Sequence, residues 1–377
     1  MKDRFKIKNN SILALIYIYM TSAFYVLRNS NLYFNGMKIV LGVAVICGLL
    51  YFILSSRCQK QYRGWIIALL ACSLIPLMRG SGKDTRMLVA FVAVLVGMNM
   101  ERKELLKALL KSKIFFFLLA MLSGGIGHIN GVAMQVGFIT LIYISLSDTK
   151  ITHGRLIMLW ATYLICAVYT YSGSYIICIG LALCLVSTKK CSIIRSFLQS
   201  FLAKNIYPFA LLINLFSALW IGERYFPFFR KTVVPGFREG LTYLLEKVDM
   251  FTSSRLTLAS ESLYRYGISL LGGNVQYDSI INEYGIYFNL DSGMIWLIQG
   301  MGIITTIVFM VLMTIMMKWL VKNREYNLII VAISVALWAM NEDMMISIGV
   351  NFMYFILGEA LSHKTSNQQV RELYEYT

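Results

Sequence analysis

Charged residues are scarce in this chain. They make up 14% of its 377 residues, whereas hydrophobic residues make up 58%. That balance excludes a soluble protein built on one core, because single cores stop growing beyond roughly 250 to 300 residues. The apolar residues fall instead into successive runs separated by short polar segments, the pattern of helices that cross a bilayer. We therefore predict an all-α, polytopic integral membrane protein.

Metal-binding and disulfide patterns are also lacking. The seven cysteines fall in apolar runs or in predicted cytoplasmic loops, which argues against a disulfide framework. The histidines, His128, His153 and His363, are too scattered for a zinc site. An Asp-x-Asp motif, with which nucleotide-sugar transferases hold a divalent metal, is absent from the sequence. We expect no metal and no other cofactor, and any sugar donor should be lipid-linked.

The net charge of +16 would suggest nucleic acid as a partner in a soluble protein. Here the cations collect at the ends of apolar runs, where they set orientation in a membrane. We therefore predict cytoplasmic termini, no cleavable signal, membrane lipid as a partner and no nucleic acid. The cations assigned to inward loops are Arg57, Lys60, Arg63, Arg102, Lys103, Lys107, Lys111, Lys113, Lys189, Lys190, Arg195, Lys204, Lys318, Lys322 and Arg324.

The apolar runs predict about twelve spans of roughly 10 to 25 residues each. They are 11–27, 36–55, 65–78, 87–100, 114–123, 131–146, 155–170, 174–187, 207–221, 293–317, 327–340 and 346–361. The domains follow: residues 1–221 carry the first spans, 222–292 form a long extracytoplasmic loop, 293–361 carry the last spans, and 362–377 form a polar, disordered tail. Matching interrupted helices in two halves, typical of secondary transporters, are not evident.

Two helices are predicted inside the long loop. The first, 236–250, is amphipathic and should lie on the membrane surface; its apolar face carries Phe237, Leu241, Leu244, Leu245 and Val248. The second, 254–266, places Arg255 and Arg265 on one side, and Gly272 and Gly273 should break it. Residues 291–293 supply a capping start for the next span.

Polar residues that are costly in a bilayer converge on the predicted outer face. The hairpin 79–86 carries Arg79, Lys83 and Arg86, and its glycines let backbone amides approach an anion, so it suits a phosphate or pyrophosphate. The alternative is an ordinary hairpin whose cations meet lipid headgroups. The 79–86 segment resembles a Walker loop only superficially, because it lacks the GxxxxGK[ST] spacing and a preceding strand.

Two further turns carry candidates. In the glycine-rich turn 124–131, His128 suits a general base near neutrality and Asn130 can bind substrate, or the histidine only hydrogen-bonds the turn. In 170–174, Ser172 suits a sugar or phosphate oxygen, or it caps the next helix.

The last candidates are Arg255 and Arg265 with the loop's carboxylates, and the segment 341–343, which includes Glu342. Guanidinium groups bind phosphates bidentately, and carboxylates can orient hydroxyls. The loop's carboxylates are Asp278, Glu283 and Asp291.

The order of these motifs resembles the Wzy-type oligosaccharide repeat-unit polymerases of bacterial O-antigen, capsule and exopolysaccharide synthesis. The resemblance covers roughly residues 75 to 360. It departs at Ile129, where proline is usual in that family, and at Gly173, where an arginine is common. The matching segments are 128–130 (His-Ile-Asn), 170–173 (Thr-Tyr-Ser-Gly), 254–256 (Ser-Arg-Leu), 271–273 (Leu-Gly-Gly) and 290–292 (Leu-Asp-Ser), with Gly302 following.

The resemblance implies a polymerase and ligase architecture of the GT-C type, with its active site facing outward from a bacterial plasma membrane. It implies a metal-independent glycosyltransferase that moves a glycan from one undecaprenyl diphosphate to a second lipid-linked repeat unit. Arg255 would stabilise the diphosphate leaving group. His128, Asp291 and Glu342 are the candidate bases, and a flippase and a chain-length regulator are the implied protein partners.

Three other readings stay open at this point. An O-antigen-ligase-like enzyme would also use a long outer loop but would attach the glycan to a different acceptor. A lipid-linked oligosaccharide flippase or exporter would have short loops and charges deep within its helices, whereas these runs are nearly free of charge. A membrane acyltransferase would need its histidine to face an acyl donor in the cytoplasm, and His128 is predicted on the other side.

Overall fold

A computed structural model describes most of the chain, namely residues 2–28, 30–34, 36–55, 63–78, 85–126, 129–147, 151–222, 226, 235–273, 275, 290–345, 347, 349 and 351–362. Within these ranges the regular structure is helical, and the sole β-type pairing is an isolated antiparallel bridge between Ser30 and Ile126. The prediction of an all-α fold is confirmed.

The helices that precede the long loop follow one another with short connections. They are α1 (Lys2–Leu27), α2 (Met37–Ser55), α3 (Arg63–Met78), α4 (Arg86–Gly97), α5 (Arg102–Leu122), α6 (Ile129–Leu146), α7 (His153–Thr170), α8 (Gly173–Thr188), α9 (Ser192–Gln199), α10 (Phe201–Lys204) and α11 (Ile206–Ile221).

The loop and the remainder of the chain contribute the other helices. They are α12 (Pro235–Phe251), α13 (Arg255–Tyr266), α14 (Gly293–Trp296), a π-helical turn (Leu297–Met301), α15 (Gly302–Lys322), α16 (Tyr326–Trp338) and α17 (Met353–Ser362). Both helices predicted inside the loop are confirmed, with ends within a residue of those expected.

The number of spans differs from the prediction. Three described segments are long and apolar enough to cross a membrane: Met37–Ser55, Ile129–Leu146 and Gly293–Lys322. A fourth arises if α8 and α9, which meet at a bend of 120°, count as one broken span. The expected twelve are not met because several apolar runs form short helices. At about 1.5 Å per residue, helices such as α4, α16 and α17 fall short of a hydrocarbon core about 30 Å thick.

Helix α5 corrects the prediction that residues 101–113 form an inward loop. The structure continues the helix through this basic segment, with Lys107 and Lys111 exposed and Lys113 buried. Lysine has a good helix propensity, so a run of lysines on one side does not end a helix. Charge marks where a helix meets water rather than where it stops.

Glycines allow α4 and α17 to pack closely. At Gly97 of α4 an added Cβ would lie 2.1 Å from the Phe355 carbonyl oxygen, and at Gly358 of α17 it would lie 2.0 Å from that of Val94. Small residues let helix backbones approach in this way, which is common where apolar helices pack together. The pair fixes α17 against α4.

The helix formed by α14, the π turn and α15 is broken at Gly302, whose φ is +87°. The segment that follows α13 lies along this break: Ile303 and Ile304 donate backbone hydrogen bonds to Ser269 and Leu270 at 3.1 Å each. An added Cβ at Gly302 would lie 2.2 Å from the Gly272 nitrogen. The long loop is therefore joined to the broken helix through its backbone.

Gly272 does not end α13 as predicted. The helix ends at Tyr266, and Gly267 follows it with a φ of +61°. A glycine with positive φ directly after the last turn is a common helix terminator. Gly272, also with positive φ, instead allows the close approach to Gly302.

Polar contacts join loops that are predicted to lie on the same side. At one end of the bundle, Arg102 forms an ion pair with Glu325 at 2.7 Å, and Lys189 hydrogen-bonds Asn327 at 2.5 Å. The charge pattern assigns Arg102 and Lys189 to the inner side. Contacts at the opposite end form the candidate site. Orientation relative to a membrane stays a prediction.

Candidate functional site

Arg255 lies at the centre of a buried polar cluster, and its own side chain is only 8% exposed. Its Nη1 donates to Glu342 Oε1 at 2.5 Å, to Ser174 Oγ at 2.8 Å and to the Asn341 carbonyl oxygen at 2.6 Å. Its Nη2 lies 3.3 Å from Asp291 Oδ2. Ser174 Oγ also donates to Glu342 Oε1 at 3.0 Å. We call Arg255, Ser174, Asp291 and Glu342 the Arg255 cluster.

The backbone before α13 aims Arg255 at this cluster. Ser253 and Ser254 adopt left-handed conformations, with φ of 59° and 60°, although neither is glycine. Consecutive residues in this sparsely populated region are costly and tend to occur where function requires a fixed geometry. They turn the chain sharply between α12 and α13, so that Arg255 begins α13 facing the bundle.

Asp249 stabilises the same turn. Its Oδ1 accepts backbone hydrogen bonds from Leu256 at 2.7 Å and Thr257 at 3.1 Å, and its Oδ2 accepts from the Thr257 hydroxyl at 2.6 Å. These amides belong to the first turn of α13, where free N–H groups and the helix dipole favour a carboxylate. Asp249 thus caps the helix that carries Arg255, from the last turn of α12.

The electrostatic state of Glu342 is set by opposing effects. Burial raises the pKa of its carboxyl above the ordinary value, and the nearby Asp291 charge adds to the increase. The charge and hydrogen bond of Arg255, together with the hydrogen bond from Ser174, pull the pKa back down. Since its side chain is 7% exposed, Glu342 relies on Arg255 for most of its compensation.

Asp291 is the accessible member of the cluster, with a side chain that is 30% exposed. It directly precedes Ser292, which caps α14 by accepting from the Ile295 amide at 3.3 Å, as the sequence predicted. Ser292 also donates to Asn214 Oδ1 at 2.8 Å, and Asn214 Nδ2 donates to the Met340 carbonyl oxygen at 3.0 Å. Helix α11 therefore links the Asp291 segment to the Glu342 segment.

Gly173 stands where the resembling polymerases commonly have an arginine. It lies against Phe251, the last residue of α12. A Cβ added there would be 2.8 Å from both the Phe251 carbonyl oxygen and a Phe251 ring carbon. An arginine cannot occupy this position without moving that backbone. Ser174, one residue later, supplies the polar contact with Arg255 instead.

A second arginine lies beside the cluster. Arg86, the first residue of α4, pairs with Asp343, and its guanidinium lies 4.2 Å from the ring centroid of Trp296. Asp343 follows Glu342 in the chain, so neighbouring carboxylates bind the two arginines. The Oδ1 atom of Asp343 is buried without a described hydrogen-bond partner. We call Arg86 and Asp343 the Arg86 pair.

Other predicted site residues do not join these groups. Arg265 pairs with Glu261 one helical turn away rather than with the Arg255 cluster, because ten residues of helix separate the two arginines by about 15 Å. Ser172 takes the N-cap position of α8 but makes no capping hydrogen bond through its side chain. Asn130 lies in the first turn of α6, where no described contact links it to the cluster. Five predicted residues lie outside the described ranges: Arg79, Lys83, His128, Asp278 and Glu283.

Two contributors were missed by the sequence reasoning. Asn214 could have been noticed, since an amide inside the apolar run 207–221 is costly in a bilayer unless it has a partner. Asp249 carries no such signal. It lies five residues before the N-cap residue Ser254, and only the left-handed turn brings its carboxylate back to the helix start.

The cluster combines a guanidinium, two carboxylates and a hydroxyl, so it can bind an anion and accept a proton. Across the described ranges, no three His, Cys, Asp or Glu side chains come close enough together to hold a metal ion. Comparison with protein-family models, with curated proteins and with solved structures found no match for this chain.

Proposed function

We propose that this protein is a polysaccharide repeat-unit polymerase at the outer face of a bacterial plasma membrane. It would transfer a glycan from a polyprenyl diphosphate carrier to a hydroxyl of a second lipid-linked repeat unit. The observation that carries the proposal is the Arg255 cluster. Residues from the start of α8, the long loop and the α16–α17 loop meet there, and two of the resembling segments, 254–256 and 290–292, contribute Arg255 and Asp291 to it.

Arg255 is proposed to bind the diphosphate that leaves the donor sugar. Transfer breaks the bond between the anomeric carbon and the phosphate oxygen, and the diphosphate departs with the electron pair. A preformed cation beside that oxygen stabilises the developing charge without a metal. Asp291 is the contact that a phosphate would replace, since its 3.3 Å distance is longer than that of Glu342 and it is the more exposed carboxylate.

Asp291 is then the proposed general base. Once displaced from Arg255 by the diphosphate, its carboxylate would accept the proton of the acceptor hydroxyl as that oxygen bonds to the anomeric carbon. Glu342 is held by Arg255 and Ser174 and is nearly inaccessible, so it is assigned a positioning role. His128 stays a candidate base from the sequence.

The Arg86 pair is proposed to contact the lipid-linked substrates from the other side. Arg86 has a partly exposed side chain, and the orphan oxygen of Asp343 suits a sugar hydroxyl as donor. The hairpin residues Arg79 and Lys83 precede Arg86 in sequence and are expected to add to the positive charge.

An exporter of lipid-linked oligosaccharide is the second candidate. One observation favours it: Lys113 is buried within the helical bundle, and such proteins carry charges deep within their helices. An O-antigen-ligase-like transferase remains the alternative among enzymes. It would use the same arginine chemistry with another acceptor.

Deletion of the gene in its host tests these functions together. A polymerase predicts that the deletion strain displays single repeat units at its surface and loses long chains. Wild type and Arg238→Gln should restore long chains, whereas Arg255→Gln should not, although all three proteins are present at equal levels. Arg238 is a suitable control because it lies on the neighbouring helix α12, away from the cluster.

The same strain separates the alternatives. Accumulation of single units on the inner leaflet alone would identify an exporter and refute the polymerase. Long chains that form but stay on the lipid carrier would identify a ligase.

A further inference from the structure

The segment between α16 and α17 carries Glu342 and Asp343, and its described residues are not helical although several of them are buried. Met344, Met345, Asn351 and Phe352 are fully buried in it. Irregular backbone among packed apolar helices requires partners for its carbonyl groups. Two helices bind carbonyl groups at the start of this segment. Gly293 of α14 donates to the Glu342 carbonyl oxygen at 3.1 Å, and Arg255 of α13 donates to the Asn341 carbonyl oxygen. We call residues 339–352 the Glu342 loop.

Lys113 binds the far end of this loop. Its ammonium donates to the Gly349 carbonyl oxygen and lies 5.6 Å from the ring centroid of Phe138. The side chain comes from the middle of α5. Gly349 is also packed against α1, since an added Cβ would lie 2.3 Å from Tyr25. The distal part of the loop is therefore held between α1 and α5.

The cation at this position is costly. Lys113 is 1% exposed, and among the described residues no carboxylate forms an ion pair with it. A lone ammonium among apolar helices is costly, whereas a methionine would fill similar space without that cost. What the ammonium adds is a charged hydrogen bond to a carbonyl, which is stronger than a neutral one.

We propose that Lys113 is a positioning residue that fixes the Glu342 loop so that Glu342 stays bonded to Arg255. The expected effect on turnover rests on the proposed polymerase function. The expected effect on the position of the loop does not. Lys113 touches no proposed substrate. It contacts the loop at Gly349, so its effect on Glu342 is indirect.

The test compares four purified variants with wild type. Lys113→Met removes the donor, Lys113→Gln keeps a neutral donor, and Lys113→Arg keeps the charge. Lys111→Met is the matched control, because Lys111 lies on the same helix but is exposed. Turnover is measured per folded molecule, with lipid-linked repeat units extracted from the deletion host as substrate. Deuterium uptake of a peptide covering 339–345 is measured on the same samples.

Lys113→Met should lower kcat at least about tenfold with KM within about threefold, because small misplacements of reacting groups cost rate more than binding. Lys113→Arg should recover most of kcat, Lys113→Gln should fall between, and Lys111→Met should match wild type. Deuterium uptake should rise in Lys113→Met and Lys113→Gln alone.

Unchanged kcat and unchanged uptake in both Lys113→Met and Lys113→Gln would overturn the inference. If Lys113→Met cannot be recovered folded, the kcat and deuterium uptake of Lys113→Gln are compared with those of Lys113→Arg. Equal values in these two variants would overturn the inference. Absence of polymer with wild type would refute the proposed function alone, because deuterium uptake would still decide whether Lys113 holds the loop.

Discussion

Removal of Arg255 should destabilise the protein in a way that depends on pH. Arg255→Met leaves Glu342 buried with Ser174 as its remaining partner in the cluster. Removing one partner of a buried ion pair typically costs about 3–5 kcal/mol, mostly because an uncompensated charge remains. We expect a loss of this size in the free energy of unfolding at neutral pH.

The sign of the pH dependence follows from the causes of the Glu342 shift. Arg255 opposes the increase in pKa that burial causes, so its removal raises the pKa of Glu342 further in the folded state. The folded variant then holds a proton that the unfolded chain, with a pKa of about 4.3, releases. Above that pH the variant loses stability by up to about 1.4 kcal/mol per pH unit. Wild-type Glu342 follows the same course with a smaller increase in pKa, so the deficit relative to wild type should grow with pH once wild-type Glu342 has lost its proton.

The assay is unfolding in detergent at several pH values, with Arg255→Met, Glu342→Gln and the double variant. In the double variant neither charge of the Arg255–Glu342 pair remains, so its stability should recover toward wild type and lose the extra pH dependence, while its activity stays absent. A deficit that is constant across pH, or a double variant no more stable than Arg255→Met, would refute the assignment of Glu342 as the buried partner.

Three further substitutions probe the surroundings. Asp249→Ala removes the cap of α13 and should cost about 0.5–2 kcal/mol in unfolding free energy and lower turnover, as measured on the same samples. Gly302→Ala should lower the melting temperature, because its φ is +87° and its Cβ has no space, whereas Gly240→Ala in open space should preserve or raise it. Gly173→Arg, which restores the residue common in the resembling family, should abolish activity by displacing Phe251. Retained activity there would show that the turn is more open than described.

The helices of the long loop were predictable because their pattern is local. Apolar residues at helical spacing and a glycine after Tyr266 mark α12 and α13 in the sequence itself. The spans were less predictable. An apolar run shows that a segment is buried or faces lipid, yet it does not show whether the helix is long enough to cross a membrane, as α17 demonstrates.

The candidate site was predictable as a set of residues but not as an arrangement. Arg255, Asp291 and Glu342 attract attention because charges near apolar runs are costly. Their mutual contacts depend on how distant segments pack, and one sequence does not encode that visibly. Arg265 is an example. Its spacing predicts the same side of the helix as Arg255, but the axial rise of the helix separates the two residues, and Arg265 pairs with Glu261 instead. Lys113 shows another, because its burial in α5 contradicts its assignment to an inward loop.

The most direct test of the account is reconstitution of the purified protein into vesicles with lipid-linked repeat units from the deletion host, followed by separation of the products by chain length. If the protein is a polymerase, long, lipid-linked chains form without added metal or nucleotide, and Arg255→Gln produces none while Arg238→Gln equals wild type. Chains of wild-type length made by Arg255→Gln, or single units that only cross the bilayer in the wild-type vesicles, would contradict it.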